Sequence, residues 1–344
     1  MTTNTTHLNP RSAAWRLGLA ALVLLLAASA TAVRTTTVTA ATVPAASQAT
    51  AKIKIWKIRY ISSTGLARPA YVILPASYGP GHDNPALPLV ISPHGRGGNG
   101  LVNAGYWGNL PAVGGFAVVN PDGMGLHTAR YSFAYRGQID DLAKMPEFMT
   151  KALPWLRIDR KRIYVLGSSM GGQETLMLVA RHPHLLAGAA AMDSVADLTL
   201  RYKQMPNMPC NQRCVHTFGT KYGLLLQAML VREVGSTPAR NPQAWASRSP
   251  AANAKAIAFS GVPLQIWWSR QDKIVTNQAS QSGALFATLR RLNPNAPISE
   301  YVGSWAHSHE MRSTQLLPVA LAGFGLLPAQ TVPSDVENIP QQTS

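Results

Sequence analysis

Between Arg162 and Gly172 the chain reads Arg-Ile-Tyr-Val-Leu-Gly-Ser-Ser-Met-Gly-Gly, and no other stretch restricts the possible folds as much. A short, continuous apolar run bounded by a turn signal reads as a buried strand, and the residues after it, Met170–Arg181, read as a helix. A strand that passes into a helix through Gly-x-Ser-x-Gly needs a tight turn, with the middle residue strained at the C-terminal edge of a sheet. Gly167 and Gly171 leave space where a Cβ would strike the neighbouring strand and helix. The register selects Ser169 and makes Ser168 its neighbour in the turn. A Gly/Ser turn with no chemical role is the plainer reading, and the strand-turn-helix setting argues against it.

The rest of the chain supplies matching parts. β-rich runs lie at 53–61, 69–74, 87–92, 116–120, 162–166, 187–192, 263–268 and 298–302, with helix-like stretches at 139–153, 170–181, 278–292 and 310–324. Pro146 and Pro318 are expected to kink the first and last of these helices. Strand and helix in repeated order predict a mainly parallel sheet with helices on both faces, because parallel neighbours need crossover connections. The early strands lack helices between them and are expected at an antiparallel edge. Residues 199–249 carry Pro206, Pro209, Pro238, Pro242 and both cysteines around one apolar run at 222–231, more chain than a plain crossover needs, which predicts a small cap. Beyond Leu327 the composition turns to Gln, Thr, Ser and Pro and reads as a solvated tail, 328–344, leaving 52–327 as the folded domain.

The N-terminus reads differently. Arg11 and Arg16 precede the apolar run 17–28 and the small-residue series Ala28-Ser29-Ala30-Thr31-Ala32, the order of a secretory signal peptide cleaved after Ala30 or Ala32. An uncleaved membrane anchor is the alternative, although the apolar stretch is short for a bilayer span. Residues 33–51 read as a flexible lead. The formal charge is +16, of which about +14 remains after loss of Arg11 and Arg16. Such a surface attracts anionic polymers weakly, but the basic residues are scattered and form no nucleic-acid recognition motif. Cys210 and Cys214, the chain's two cysteines, are close enough in sequence for a disulfide in an oxidising compartment, and His216 alone makes a poor zinc partner for them.

A serine hydroxyl is a weak nucleophile at neutral pH and needs a base, with a third group to orient that base. Asp272 stands on the first polar loop after the 263–268 run, in Ser269-Arg270-Gln271-Asp272-Lys273. After the last run comes Gly303-Ser304-Trp305-Ala306-His307-Ser308-His309-Glu310, where either histidine is a candidate base and the position in the loop favours His307, with His309 near the start of a helix. Asp193, directly after the 187–192 run, is the second candidate acid. The anionic intermediate needs two hydrogen-bond donors. The Met170 N–H supplies one, and the loop Pro93-His94-Gly95-Arg96 supplies the other through Arg96 N–H, with Gly95 N–H in reserve. His94 is read as structural. Trp107, Trp268 and Trp305 are candidates for the wall of an aromatic pocket, against the commoner fate of core packing.

From about Tyr71 to Phe324 the chain is similar to α/β hydrolases. It resembles the catalytic domain of the prolyl oligopeptidase (S9) family and the polyhydroxybutyrate-depolymerase and feruloyl-esterase-like hydrolases. The stretches that carry the resemblance are Leu89-Val90-Ile91-Ser92-Pro93-His94-Gly95, Asn120-Pro121-Asp122-Gly123, the Ser169 turn, Ser247-Arg248-Ser249-Pro250 and Asp272-Lys273-Ile274-Val275. The resemblance implies an α/β-hydrolase fold with a small cap, and places Ser169, Asp272 and His307 at the triad positions. The chain has no N-terminal repeats for a β-propeller, and it has Trp305-Ala306 where the oligopeptidases favour small residues. The expected activity is therefore that of a secreted carboxylesterase or deacylase working through an acyl-enzyme, without metal or organic cofactor. A small-peptide serine peptidase, or a non-catalytic polymer-binding protein on the same scaffold, is the alternative.

Overall fold

The structure, a computed structural model, describes residues 51–125 and 130–339. The expected signal peptide, all but the last residue of the lead, and the end of the tail lie outside the described residues. The apolar runs form β1 (Ile53–Ile61), β2 (Ala67–Pro75), β3 (Leu87–Ile91), β4 (Ala117–Pro121), β5 (Ile158–Ser168), β6 (Gly188–Met192), β7 (Leu264–Ser269) and β8 (Ile298–Gly303), and a short β9 (Glu337–Ile339) follows. They make one nine-stranded sheet in the order β1-β2-β4-β3-β5-β6-β7-β8-β9. Strands β3 to β8 pair in parallel, whereas β1–β2, β2–β4 and β8–β9 are antiparallel.

Helices α1 (Gly100–Gly105) and α2 (Leu110–Gly114) connect β3 to β4, α3 (Arg136–Ala143) and α4 (Met145–Ala152) connect β4 to β5, and α5 (Met170–Arg181) connects β5 to β6. Between β6 and β7 lie α6 (Leu198–Gln204), α7 (Gln212–Phe218), α8 (Tyr222–Val234), α9 (Pro242–Ala246) and α10 (Ala254–Ala258); α11 (Ser282–Leu292) precedes β8 and α12 (Leu317–Ala322) follows it. Alternation along each strand sends successive side chains to opposite faces. Leu89, Ile91, Ile163 and Val165 pack with Ile139, Met145, Leu176 and Leu289 on one face. Val90, Tyr164 and Leu166 pack with Leu110, Leu317 and Leu321 on the other. Both faces are therefore covered, which is why the parallel strands carry uninterrupted apolar runs rather than alternating ones. Among the described residues no helix is long and apolar enough to cross a membrane.

Three expectations change. The helix read over 139–153 is two helices that meet at Lys144, with Pro146 in the first turn of the second, where its missing N–H costs nothing. The helix read over 310–324 contracts to α12, whose first turn holds Pro318; the residues before it form turns, and Ser308 has a left-handed φ of 57°. His309 is consequently a loop residue and not a helix-start residue. The chain after Leu327 returns to the sheet, since β9 pairs with β8 through backbone hydrogen bonds and Arg270 forms an ion pair with Glu337.

The insertion forms the cap. Its apolar cluster joins Leu198, Met205, Met208, Leu226, Leu230 and Trp245 to Tyr131, Val275 and Met170, so the cap rests on the residue next to Ser169. Cys210 and Cys214 are disulfide-bonded, Asn211 caps α7 through Cys214 N–H, and Tyr222 N–H donates to Cys210 Sγ at 3.3 Å. So short a loop contributes about 2 kcal/mol or less through the unfolded chain. Reduction, or Cys210→Ser with Cys214→Ser, is expected to expose sites in 205–222 to protease while far-ultraviolet circular dichroism and the main melting transition stay nearly unchanged. Collapse of the whole fold on reduction would contradict this.

Candidate active site

Ser169 sits between β5 and α5 at φ 58°, ψ −122°, a conformation that L side chains rarely adopt. Its N–H donates to Met192 O at 2.9 Å and its carbonyl accepts from Gln173 N–H at 3.0 Å, so sheet and helix both hold the strained turn. A Cβ on Gly167 would lie 2.5 Å from the Gly171 carbonyl oxygen, and one on Gly171 would collide with the carbonyl of Pro93. These are backbone atoms and have no rotamer to yield. Gly171→Ala is expected to cost about 3 kcal/mol and to lower the Tm by several degrees; an unchanged melting curve would mean that the turn relaxes freely.

The loop after β3 faces this turn. A Cβ at Gly95 would lie 3.6 Å from Ser169 Cβ, so the backbone of residues 94–96 runs beside the nucleophile. Met170 begins α5, and its N–H is one of the first donors of a helix, which have no partner within the helix itself. His94 is buried and its two ring nitrogens lie 2.8 and 2.9 Å from the carbonyl oxygens of Gly95 and Asp122, a bracing role for the loop. The Arg96 guanidinium donates to Tyr222 Oη at 2.6 Å and lies 5.6 Å from the ring centre of Tyr131, tying this loop to cap helix α8.

Asp272 and His307 come together from the loops after β7 and β8: His307 Nδ1 lies 2.7 Å from Asp272 Oδ2. Asp272 also accepts from Ile274 N–H, Val275 N–H and Gln278 Nε2 at 2.8, 2.9 and 3.1 Å. Burial pushes its pKa up, but the charge and hydrogen bond of His307, with the other donors, outweigh burial and hold it below the usual carboxylate range. Among the described residues no hydrogen bond forms to the Ser169 hydroxyl. His309 is half-buried, and burial together with Arg312 lowers its pKa. Asp193, at φ 43° directly after β6, is fully buried beside this pair. Asp193, Asp272 and His307 each have a ligand-type atom within 4.8 Å of the others; Asp193 accepts N–H donors on both oxygens, and His307 Nδ1 is engaged by Asp272.

Of the tryptophans, Trp107 is placed differently from the expectation. Trp107 is fully buried, donates from Nε1 to Ser92 Oγ at 3.0 Å and packs edge-on to Phe116; it is a core residue and not a pocket wall. Trp305 donates from Nε1 to Asp193 Oδ2 at 3.0 Å, and Trp268 donates to Glu300 Oε1 at 2.6 Å. Each indole N–H thus has an internal acceptor, which leaves the half-buried ring of Trp305 as the one with an exposed edge. Arg201 was not singled out in the sequence. It is buried on α6, donates to Ile274 O at 2.5 Å next to the Asp272 turn, and burial pushes its pKa down to about 10 against the pull of Asp272. Its sequence context, a basic residue in a cap helix, carries no signal of that contact.

Comparison with known proteins agrees with this architecture. The sequence profile of the alpha/beta hydrolase fold matches residues 88–212. No curated protein sequence matches the chain. Among solved structures, an acylaminoacyl peptidase of Pyrococcus horikoshii is similar with TM-score 0.57 and 17% identity over 76% of this chain, which spans 39% of that protein's length. An S-formylglutathione hydrolase of Staphylococcus aureus is similar with TM-score 0.56 and 19% identity, over 80% of this chain and 99% of the other. An esterase of Pyrococcus furiosus is similar with TM-score 0.51 and 16% identity, over 79% and 89%. With the sheet order and the turn at Ser169, these matches show that the chain has the α/β-hydrolase fold.

Proposed function

We propose that this protein is an exported serine hydrolase that cleaves carboxylic esters through an acyl-enzyme, with Ser169 as nucleophile, His307 as base and Asp272 as the acid that orients it. The observation that carries the reading is the 2.7 Å contact between His307 Nδ1 and Asp272 Oδ2 at the same sheet edge as the strained Ser169 turn. Asp272 held as an anion fixes the imidazole tautomer with its proton on Nδ1 and leaves Nε2 to take the Ser169 proton. The alkoxide attacks the ester carbonyl, and the N–H groups of Met170 and Arg96 stabilise the oxyanion. His307 returns the proton to the leaving alcohol, and water repeats the sequence on the acyl-enzyme.

Ester substrates are favoured over peptides because the hydrolase and esterase relatives are covered over 99% and 89% of their length, against 39% for the peptidase. Export is supported by the N-terminal pattern and by the Cys210–Cys214 bond, which suits an oxidising compartment. The test is covalent labelling by a fluorophosphonate probe, with mass spectrometry placing the adduct, beside hydrolysis of p-nitrophenyl esters of graded chain length and of prolyl anilides. An adduct on Ser169 with turnover of the esters is the expected result; labelling elsewhere, or anilides turned over faster than every ester, would overturn the assignment.

A further inference from the structure

We propose that Asp193 is a positioning residue for this reaction: its buried carboxylate clamps the acid loop and the base loop to each other, with Glu310 buried beside it. The proposal rests on the serine-hydrolase reading above. Asp193 Oδ1 accepts from Ser269 N–H at 2.9 Å, where β7 ends and the Asp272 loop begins. Its Oδ2 accepts from Ser308 N–H at 2.8 Å and from Trp305 Nε1 at 3.0 Å, so it grips the base loop on both sides of His307. Ser269 closes the ring, since Trp305 N–H donates to Ser269 Oγ at 2.9 Å and that hydroxyl donates to Trp305 O at 2.6 Å. The left-handed backbones of Asp193 and Ser308 are held in place by the same bonds.

Glu310 explains how so many acids share one site. It is fully buried, and neither carboxyl oxygen has a hydrogen-bond partner of good geometry among the described residues. The group beside it is the Asp193 carboxylate, towards which only a protonated Glu310 can make a bond. Burial and the Asp193 charge push its pKa well above the usual carboxyl range. Burial likewise pushes Asp193 up to about 6, opposed by His307 and reinforced by Asp272. The titratable groups bearing on Asp193 are thus His307 and Asp272 on the two loops and Glu310 downstream. Asp272 and Asp193 both bear on the imidazole, and burial beside Asp193 biases Glu310 towards its neutral form. An anion that accepts every donor aimed at it fits the clamp, whereas an amide in its place turns an N–H towards one of those donors.

The experiment measures kinetics of the full chain with p-nitrophenyl butyrate for Asp193→Asn, Glu310→Gln and Glu310→Ala, and follows the His307 imidazole by NMR as pH is varied. Asp193→Asn is expected to lower kcat about 100-fold with KM within about threefold, through misplacement of the base. It is also expected to move the His307 titration to lower pH, because a neighbouring negative charge is gone. Glu310→Gln keeps a donor and is expected to stay within about threefold of wild type, while Glu310→Ala loses about tenfold in kcat. An Asp193→Asn protein with kcat within threefold of wild type, or with an unmoved imidazole titration, overturns the proposal. Where Asp193→Asn fails to fold, Trp305→Phe decides: it removes one donor of the clamp and should lower kcat with KM unchanged, and an unchanged kcat overturns the proposal. The imidazole titration needs no substrate, so a protein that hydrolyses no ester sinks the serine-hydrolase reading without deciding the clamp.

Discussion

Ser169→Ala should remove ester hydrolysis and fluorophosphonate labelling together, with a loss in kcat on the order of 10⁶. The size follows from the way the parts depend on one another. In the proposed mechanism the Asp272–His307 pair and the donors after β3 and at the start of α5 act only on an oxygen placed at Ser169. Without that oxygen the base has no proton to take and no acyl-enzyme forms. The fold should survive, because alanine fits the same turn and the backbone bonds to Met192 and Gln173 do not involve the hydroxyl. Ser168, the buried last residue of β5, is the control: Ser168→Ala should change kcat by about threefold at most. Turnover by Ser169→Ala above about a hundredth of wild type would place the nucleophile elsewhere.

The second large effect separates two histidines that stand two residues apart in the sequence. His307→Ala should lower kcat by about 10⁵–10⁶, since the general base and the nucleophile work as a unit. His309→Ala should cost only a few-fold. His307 has its Nδ1 on the Asp272 carboxylate, whereas His309 is a half-buried loop residue beside Arg312. Both variants are to be measured on one activated ester, with circular dichroism to check folding. The reverse pattern, a few-fold at His307 and orders of magnitude at His309, would move the base and leave Ser169 and Asp272 in their roles.

The sheet was legible because strands buried on both faces must be apolar throughout, and the runs at 87–92, 116–120 and 187–192 could hardly be packed in another way. The candidate loops were legible for a related reason: Ser169, Asp272 and His307 each follow a strand end, and the sheet order brings those ends to one edge. What stayed hidden depends on contacts between distant segments. The pattern of 310–324 has helical spacing, yet Glu310 is drawn into the core beside Asp193, and the helix begins only at Leu317. Trp107 and Trp305 look alike as candidates for a pocket wall until Trp107 is seen buried with its N–H on Ser92, while Trp305 stays half-buried. Composition gave no sign of β9, because an exposed edge strand of three residues is held by its backbone and not by its side chains.

The buried carboxyls can also be read as proton-binding sites created by folding. Glu310 lies beside Asp193, and Glu174, on α5 behind the Ser169 turn, is fully buried, bonded to Ser132 and pushed by burial up to about 8. In the unfolded chain both groups ionise near pH 4. Because their folded values are raised, the stability they contribute is complete below about pH 4 and is lost as pH rises towards and through those folded values, near 8 for Glu174. At pH 7 the chain should therefore take up about one proton at Glu174 as it folds, and uptake at Glu310 adds to it in the same direction. Calorimetry would register this as an unfolding enthalpy that changes with the ionisation heat of the buffer.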